Sequence, residues 1–317
     1  MVLCLKARKS RSLPGYKSSL NILMRNILVV TGGAGFIGSN LIEKLINFKK
    51  YKIISYDDYS SGSFNNHIKN SRVKYYRGHT KNISNILKNY KNKIHTIFHF
   101  GEFSRIFQSF KKIKECFNSN TEGSFQLFNF ALENNIKLIY SATSASLGND
   151  GSDMNLSPYA FTKAKNLELL ANLKKWFNFK YEVIYFYNVY GPRQICKGDM
   201  ATVIGVFEEH FKNNESLPIV KPGLQTRRFT HVIDTVNACL TAWIKNKNKY
   251  YRIASNKSYS IIQLAKLFNT RIKYLPEREG ERFSSALTST NFNNKIIRLK
   301  AKIKLEDYIR KFLRENL

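Results

Sequence analysis

A tyrosine and a lysine stand four residues apart in the run Tyr159-Ala160-Phe161-Thr162-Lys163, at the start of a predicted helix. Residues with this spacing lie on one helical face. A nearby ammonium group stabilises a phenolate and lowers the pKa of the tyrosine toward neutrality, which would make Tyr159 a general base for a hydroxyl group. By itself such a pair is common, and it is more typical of two solvated side chains.

Thr143 favours the chemical interpretation of this pair. It belongs to the run Ser141-Ala142-Thr143-Ser144, at the C-terminal end of a predicted parallel strand, where open α/β sheets bind their ligands. Thr143 precedes Tyr159 by 16 residues, which allows its hydroxyl to converge on the same reacting oxygen. The sequence therefore predicts a threonine, a tyrosine and a lysine acting together.

A glycine-rich turn precedes this set, where residues 31–38 read TGGAGFIG between a short β-branched segment and a helical pattern. Gly32 permits a tight turn, Gly35 lets the backbone approach a pyrophosphate, and Gly38 allows the helix to pack on the sheet. The phosphate would sit at the helix N-terminus, where free N–H groups favour an anion. The alternative, a glycine loop used only for packing, is less consistent with this context.

Asp57 specifies which dinucleotide the turn would hold. It ends the second predicted strand, 19 residues after Gly38. A carboxylate there accepts hydrogen bonds from the adenosine ribose and repels a 2′-phosphate. The sequence therefore predicts NAD, not NADP, as the cofactor.

The elements that must position these residues alternate between strand and helix. Strands are predicted over Ile27–Thr31, Tyr51–Asp57, Arg72–Arg77, Ile94–Phe100, Ile136–Ala142 and Lys180–Tyr187, and helices over Phe36–Phe48, Ile83–Tyr90, Gln108–Asn134 and Pro158–Phe177. This alternation indicates βαβ units with right-handed crossovers. The predicted fold is α/β, a Rossmann-type doubly wound parallel sheet with a smaller C-terminal substrate-binding domain.

The domain boundaries follow from where the alternation loosens. We expect a basic N-terminal extension over 1–24, an NAD-binding Rossmann domain over 25–187, and a mainly substrate-binding domain over 188–317. Part of 224–254 is expected to return to the first domain. Later helices are predicted over Ala201–Asn213, Asp234–Lys245 and Ile261–Phe268, the last with Ser258 as its cap.

The order of these motifs resembles the extended short-chain dehydrogenase/reductase family, the NAD-dependent epimerases and dehydratases of nucleotide sugars. The resemblance runs from about Arg25 to the C-terminus. Beyond the motifs above, it includes HFGE at 99–102, NTEG at 120–123, YNVYGPR at 187–193, QTRRFTHVID at 225–234 and REGE at 278–281.

The resemblance implies a role for each matching residue. The catalytic set would be Thr143, Tyr159 and Lys163. The cofactor would be bound by Gly32, Gly35, Phe36, Ile37, Gly38, Asp57, Phe100, Asn120 and Lys163. The nucleotide sugar would be bound by Thr143, Asn188, Arg227, Arg278 and Ser285. The planar donor fork of arginine suits a diphosphate, although each arginine alone would equally suggest a surface salt bridge.

The residues after Thr143 narrow the reaction. Dehydratases of this family have Asp-Glu there, whereas this chain has Ser144-Ala145. We therefore expect an isomerase, a UDP-hexose or UDP-N-acetylhexosamine 4-epimerase working through transient oxidation to a keto sugar. Ser285, seven positions after Arg278, would leave room for an N-acetyl group.

Other interpretations stay open within and outside the family. Residues 191–201 resemble ADP-heptose 6-epimerases, in which a lysine at the position of Lys197 takes part in acid–base chemistry, and a nucleotide-sugar reductase is a further alternative. A non-catalytic NAD-binding protein is another class. His79-Thr80, Glu102 and Ser104 depart from the usual family pattern near the cofactor.

The net charge of +30 suggests a polyanionic partner, but the lysines are spread along the whole chain. Nucleic-acid binders tend to cluster their basic residues, so composition bias is the preferred explanation and a nucleic acid is not expected as a partner. The four cysteines form no CxxC pair, which indicates a reducing compartment and suggests no metal site.

Residues 1–23 are basic and lack Asp and Glu, which is typical of either organelle targeting or an upstream start. No apolar run approaches the ~18 residues of a membrane span. We expect a cytoplasmic protein with organelle targeting left open. The family resemblance implies a homodimer packed through the helices around Gln108–Asn134 and Pro158–Phe177.

Overall fold

The computed structural model of the chain describes residues 25–147, 155–277 and 296–316. The predicted extension over 1–24 and two predicted substrate contacts, Arg278 and Ser285, lie outside the described residues.

The described strands, numbered in chain order, are β1 Ile27–Thr31, β2 Lys52–Asp57, β3 Val73–Arg77, β4 Ile94–His99, β5 Lys137–Thr143, β6 Tyr181–Phe186, β7 Val189–Tyr190, β8 Leu217–Val220, β9 Thr226–Arg227, β10 Thr230–His231, β11 Tyr250–Ala254, β12 Tyr259–Ser260, β13 Ile272–Leu275 and β14 Ile297–Lys300. Eight of them form one sheet in the order β3-β2-β1-β4-β5-β6-β11-β14. Every pairing within this sheet is parallel. The Rossmann-type prediction is confirmed.

The described α-helices are α1 Phe36–Leu45, α2 Ile83–Leu87, α3 Ile106–Lys111, α4 Ile113–Phe117, α5 Ser124–Glu133, α6 Pro158–Phe177, α7 Val203–Lys212, α8 Val232–Lys245, α9 Ile261–Lys266 and α10 Leu305–Asn316. Short 3₁₀ turns lie at Phe64–Asn66, Thr80–Asn82, Lys91–Lys93 and Ser144–Leu147. A π-helical segment, Asn118–Gly123, joins α4 to α5.

Alternating side chains divide the core between the two faces of the sheet. On β1, Leu28 and Val30 belong to the buried cluster that also holds residues of α1 and α8. Val29 belongs to the cluster on the other face, with residues of α2, α5 and α6. Helices therefore cover both faces, as the near-continuous apolar strands require.

The strand order places a crevice at the carboxyl ends of β1 and β4. β1 pairs with β2 on one side and with β4 on the other, so the chain changes direction along the sheet at β1. Loops that follow such neighbouring strands turn away from each other and leave space for a ligand. The glycine turn follows β1, and the segment 100–105 follows β4, so both border this crevice.

A third buried cluster lies in the C-terminal half of the chain, from Tyr190 onward. There, α7, α9 and α10 pack against β8 through residues such as Phe207, Ile219, Leu264 and Ile309. The same half also returns to the main sheet, because β11 pairs with β6 and β14 pairs with β11. The C-terminal half therefore borders the crevice while it is tied to the sheet that forms it.

Several predicted elements differ from the structure. The region Gln108–Asn134 is helical as predicted, but it is not one regular α-helix: it is interrupted at Lys112, whose φ and ψ are −120° and 48°, and it is wound as a π-helix over Asn118–Gly123. Gly123 allows the π-helix to approach the 3₁₀ turn, since a Cβ there would lie 2.2 Å from the Thr80 hydroxyl oxygen. The spacing of apolar residues within one segment cannot predict such contacts between distant segments.

Several helices begin or end at residues other than those predicted. The first helix ends at Leu45, not at Phe48, and the helix predicted over Ile83–Tyr90 ends at Leu87. Ser260, not Ser258, caps α9, and it forms a reciprocal capping box with Gln263. The predicted cap lies two residues too early because the strand residues Tyr259 and Ser260 pair with β9 before the helix begins.

Candidate active site

The glycine turn brings the end of β1 into close contact with the start of α1. Gly32 has a φ of 68°, and a Cβ on Gly38 would lie 2.1 Å from the Gly32 carbonyl oxygen. Gly35 caps α1 without a side-chain hydrogen bond, and the first turn of α1 holds no acidic residue. The first-turn amides of α1 are therefore left for an anion, which fits the pyrophosphate of a dinucleotide.

Asp57 lies at the end of β2 beside this turn. One carboxylate oxygen accepts a hydrogen bond of 2.9 Å from the N–H of Ala34, and the other accepts one of 2.8 Å from the N–H of Tyr59. Burial raises the pKa of Asp57, and these backbone donors oppose the rise. Each oxygen keeps a further lone pair that can accept from a ribose hydroxyl, so the residues at this end of the crevice fit NAD.

One cavity of about 380 Å³ occupies the crevice. The predicted site residues that line it are Gly32, Gly35, Phe36, Ile37, Gly38, Asp57, Phe100, Thr143, Tyr159, Lys163, Asn188 and Arg227. The fold therefore brings together residues that the sequence separates by almost 200 positions.

Tyr159 is placed by a well-capped helix start. Ser157 caps α6 by accepting from the N–H of Ala160, and a proline occupies the first turn. The N–H of Tyr159 itself donates to the Ser109 hydroxyl over 3.2 Å. At the end of β5, the Thr143 hydroxyl is hydrogen bonded to the Tyr159 phenol. The two hydroxyl groups thus meet on the cavity wall, as the sequence predicted.

The acidity expected for Tyr159 is not found. Its pKa is raised to about 12, mainly by burial of the phenol, which the hydrogen bond from Thr143 opposes. The negative charge of Glu102 raises the pKa further, and the positive charge of Arg105 lowers it. The prediction that Lys163 brings the pKa of Tyr159 toward neutrality is wrong, mainly because the phenol is buried and also because the charge of Glu102 raises this pKa.

Lys163 is buried on α6 one turn after Tyr159. Its ammonium group forms an ion pair with Glu102 and donates to the carbonyl oxygen of Ser141. It also lies 4.3 Å from the centre of the Tyr140 ring. Burial lowers the pKa of Lys163, while the Glu102 charge raises it. The structure thus gives this lysine an anionic partner that sequence reasoning did not assign.

Glu102 follows β4 and is the centre of a buried polar network. Besides Lys163, its carboxylate accepts from the Ser124 hydroxyl at 2.9 Å, the Tyr140 phenol at 3.0 Å and the Asn166 amide at 3.1 Å. Burial would raise the pKa of Glu102, but the Lys163 charge and these donors outweigh it and the pKa is lowered. In the sequence Glu102 stands out only as a departure from the family pattern, and its position soon after a buried strand is the one local signal for a role in the site.

Arg105 is a second cavity residue that sequence analysis did not identify. Its Nε donates to the carbonyl oxygen of Met200 over 2.9 Å, and a terminal nitrogen donates to the Ser104 carbonyl at 2.9 Å. The side chain thus joins the segment after β4 to the loop before α7. No local pattern predicted it, because its partner lies 95 residues away.

Asn120 does not line the cavity. Its side-chain oxygen accepts from the N–H of Phe103 at 2.7 Å, and its nitrogen donates to the Phe103 carbonyl and to the Thr162 hydroxyl. We therefore expect Asn120 to affect the cofactor indirectly, by holding the segment after β4 against α6.

Two predicted substrate residues meet on the side of the cavity formed by the C-terminal half. Asn188 has a φ of 33° and its side-chain amide donates to the Arg228 carbonyl. Arg227 is 9% exposed and donates to the Thr226 carbonyl. Lys197, in contrast, is 75% exposed and paired with Glu209 at 2.9 Å, and it is not among the residues that line the cavity.

Neither a metal site nor a membrane-spanning helix is found in the part of the chain that the structure describes. Within 25–147, 155–277 and 296–316, no group of three or more His, Cys, Asp or Glu side chains is arranged to hold a metal ion. In the same ranges, no helix combines the length and apolar character needed to cross a membrane.

A family model described as "NAD dependent epimerase/dehydratase family" matches residues 28–254. The curated ADP-L-glycero-D-manno-heptose-6-epimerase of Brachyspira hyodysenteriae is 27% identical over 257 residues, which cover 76% of this chain and 79% of that protein. The dTDP-D-glucose 4,6-dehydratase of Homo sapiens is 30% identical over 255 residues, which cover 75% of this chain and 72% of that protein.

Solved structures agree with this fold. The crystal structure of UDP-glucose 4-epimerase from Thermotoga maritima with UDP-glucose has a TM-score of 0.80 and 26% identity, covering 91% of this chain and 99% of the other. The UDP-N-acetylglucosamine 4-epimerase of Methanobrevibacter ruminantium in complex with UDP-N-acetylmuramic acid has a TM-score of 0.79 and 28% identity, covering 92% and 97%.

Proposed function

The chain belongs to the NAD dependent epimerase/dehydratase family, and from this premise we propose that it epimerises a nucleotide-diphosphate sugar, with UDP-hexoses and UDP-N-acetylhexosamines epimerised at C4 as the first candidates. The observation that carries the proposal is the meeting of Thr143, Tyr159 and Lys163 on the wall of the cavity that also holds the glycine turn. NAD is the cofactor of this family.

Each group in the site has a separate role in the proposed reaction. Tyr159, in its phenolate form, takes the proton from the sugar hydroxyl, and Thr143 holds the same oxygen through its own hydroxyl. NAD, held at the glycine turn beside Tyr159 and Lys163, would supply the acceptor and later the donor of the hydride that leaves the sugar and returns to it. Once the keto sugar has turned in the site, Tyr159 returns the proton to the new hydroxyl. Because the hydride and the proton both return to the sugar, the cycle leaves no net redox change, and one phenol serves both proton transfers.

The segment after Thr143 supports epimerisation over dehydration. Water elimination needs an acid and a base near the sugar, and Ser144 and Ala145 offer neither. Both are buried at the start of the 3₁₀ turn that follows β5, and they line the cavity. An isomerase is therefore the preferred class within the family, ahead of a dehydratase or a nucleotide-sugar reductase.

We assign binding of the diphosphate to Asn188, Arg227 and Arg278. Arg227 supports this assignment because it is nearly buried and faces the cavity, where a planar donor fork can bind phosphate oxygens. The roles of Arg278 and Ser285 are assigned only from their positions relative to the family's sequence motif. Ser285, as a small residue, would admit an N-acetyl group.

A homodimer is part of the proposal. Apolar side chains are exposed along α3, α4 and α5, at Phe110, Ile113, Phe117 and Phe125. Phe117 also stacks on Phe161 of α6, so this apolar surface continues onto the helix that carries Tyr159 and Lys163. Contiguous exposed apolar side chains favour a protein contact.

We propose a reducing compartment, with the cytoplasm as first candidate. The described cysteines Cys116, Cys196 and Cys239 are free thiols, which supports it. Organelle targeting by residues 1–24 stays an alternative.

The function is tested with NAD-loaded protein and a panel of UDP-, ADP- and GDP-sugars, followed by separation of epimers. A UDP-sugar carrying deuterium at C4 should keep its label in the product, because the hydride returns to the carbon it left. Steady accumulation of NADH without an epimer would exclude the proposal. The variant Tyr159→Phe should bind NAD and lose at least about 100-fold in rate; full activity in this variant would point to a different base.

A further inference from the structure

We propose that Glu102 is a positioning residue of the active site, which fixes the Lys163 ammonium group and offsets its positive charge toward Tyr159. The inference rests on the proposed function, in which Tyr159 exchanges the sugar proton. Its basis is a buried ion pair: the Glu102 and Lys163 side chains are 3% and 4% exposed. Breaking a buried pair leaves an uncompensated charge, so each partner strongly constrains the other.

A chain of hydrogen bonds holds Glu102 in place. The Ser124 hydroxyl donates to it, and His99 contacts the same hydroxyl at 3.0 Å through Nε2. Nδ1 of His99 lies 2.7 Å from the hydroxyl of Thr31, at the end of β1. Because the network is continuous, the Glu102 carboxylate is anchored to the strand that leads into the glycine turn.

The ion pair limits what Lys163 can do in the cavity. An ammonium group has three N–H donors. Glu102 and the Ser141 carbonyl oxygen take two of them. At most one donor therefore remains for a ligand or for Tyr159, and its direction is set by the other two.

The charges around Tyr159 come from several elements. The titratable and polar groups that face it or its lysine are Glu102 and Arg105 after β4, Cys116 on α4, Tyr140 and Thr143 on β5, and Lys163 on α6. The charge of Glu102 raises the pKa of Tyr159 and that of Arg105 lowers it, while Glu102 is itself paired with the opposite charge of Lys163. The net field at Tyr159 therefore depends on whether Glu102 carries its charge.

A phenol that is not strongly acidic suits an epimerase. Tyr159 must take a proton in one half of the cycle and give it back in the other, and proton return is easier from a weaker acid. By offsetting Lys163, Glu102 keeps the phenol from being held as a stable phenolate. We infer that Glu102 keeps the acidity of Tyr159 suited to both proton uptake and proton return in the catalytic cycle.

The test uses full-length, cofactor-free protein labelled with ¹³C at the ζ carbon of tyrosine. The Tyr159 resonance is assigned by its loss in Tyr159→Phe, and its ionisation is followed by NMR as the pH is raised. In Glu102→Gln, which removes the charge with little change in shape, Tyr159 should ionise about one pH unit lower than in the unaltered protein. An unchanged midpoint, or a higher one, overturns the proposal.

Glu182 provides a matched control. It is also fully buried, pairs with Lys137 at 2.7 Å and accepts from the N–H groups of Asn248 and Lys249. Glu182→Gln should lose stability while Tyr159 ionises at its original pH. A shift of the same size in this variant would show that any buried charge acts alike, and that also overturns the proposal.

A double variant keeps the test available if Glu102→Gln does not fold. Glu102→Gln with Lys163→Met removes both charges and leaves no lone buried ion. Because the two charges offset each other at Tyr159, the double variant should ionise close to the original pH. A midpoint lowered as far as in Glu102→Gln alone would mean that Lys163 has no part in the shift, against the proposal.

The NMR readout is independent of turnover. Where the sugar panel gives no epimer but Glu102→Gln lowers the Tyr159 midpoint, the proposed function fails and the charge balance stands. Where epimers form and the Tyr159 midpoint does not move, the proposed function stands and the charge balance fails. With active protein, the pH at which sugar-dependent absorbance at the NADH wavelength rises should shift downward in parallel with the NMR midpoint.

Discussion

The carboxylate of Asp57 accepts a hydrogen bond of 2.9 Å from the N–H of Ala34, and so joins the end of β2 to the glycine turn after β1. The same carboxylate holds the N–H of Tyr59. It therefore shapes the turn and carries the negative charge beside the expected adenosine ribose. We propose that this residue links the geometry of the glycine turn to the preference for NAD.

Replacing Asp57 by serine should weaken NAD binding at least about 10-fold, since a hydrogen bond to a charged group contributes about 1.5–3 kcal/mol. The ratio of NADP to NAD affinity should rise, because the charge that repels a 2′-phosphate is gone. Both are measured by calorimetric titration of cofactor-free protein. Asp199→Ser is the control: that carboxylate is 63% exposed, lies 3.8 Å from the Lys112 ammonium group and is not among the residues that line the cavity, so its loss should leave the ratio unchanged. An unaltered ratio in Asp57→Ser would contradict the assignment.

Two glycines of the turn should respond differently to alanine. In Gly38→Ala the new Cβ would lie 2.1 Å from the Gly32 carbonyl oxygen, so strand and helix must separate, at a cost of about 2–3 kcal/mol in unfolding free energy. In Gly35→Ala the nearest atom would be 3.1 Å away and φ is −80°, so stability should change little while NAD affinity falls. Urea unfolding and NAD titration measure the two effects; equal stability losses would refute this account.

Lys197→Ala should keep the epimerase rate within about twofold, because this side chain is exposed and paired with Glu209 outside the cavity. Lys163→Met, in contrast, should lose at least about 100-fold. Initial rates with the best sugar of the panel compare the two. A loss in Lys197→Ala as large as in Lys163→Met would favour the ADP-heptose 6-epimerase alternative.

Acid should destabilise the fold through His99. Burial lowers the pKa of His99 to about 4, from an ordinary value of 6.5. Because the folded pKa is below the unfolded one, its contribution is complete above pH 6.5 and is lost as the pH falls toward 4. At about 1.4 kcal/mol per unit, this amounts to about 3 kcal/mol.

Urea unfolding at a series of pH values measures this loss. The dependence between pH 6.5 and 4 should be shallower in His99→Asn than in the unaltered protein. Identical slopes would mean that the pKa of His99 is the same in the folded and unfolded states, against this prediction. The comparison between variants is needed because burial also lowers the pKa of His95 and His231.

Local patterns were sufficient for much of the site. The glycine turn follows from backbone freedom and close approach, both properties of neighbouring residues. The pairing of Tyr159 with Lys163 on one face follows from helical spacing, and Asp57 from its place at a strand end. The alternation of strands and helices predicted the parallel sheet, since each element must bury its apolar face. The sequence by itself thus determined the fold class and the cofactor.

Long-range contacts decided the rest. Glu102 and Lys163 are 61 residues apart and Arg105 and Met200 are 95 apart, so no local period indicates either pair. Asn120 belongs to a motif of the family, yet its amide is turned to Phe103 because the π-helix places it there. The pKa of Tyr159 depends on how deeply the phenol is buried and on which charges surround it. Burial and net field are sums over elements that meet only in the folded chain, and for this reason tertiary structure alone decided the acidity of the site.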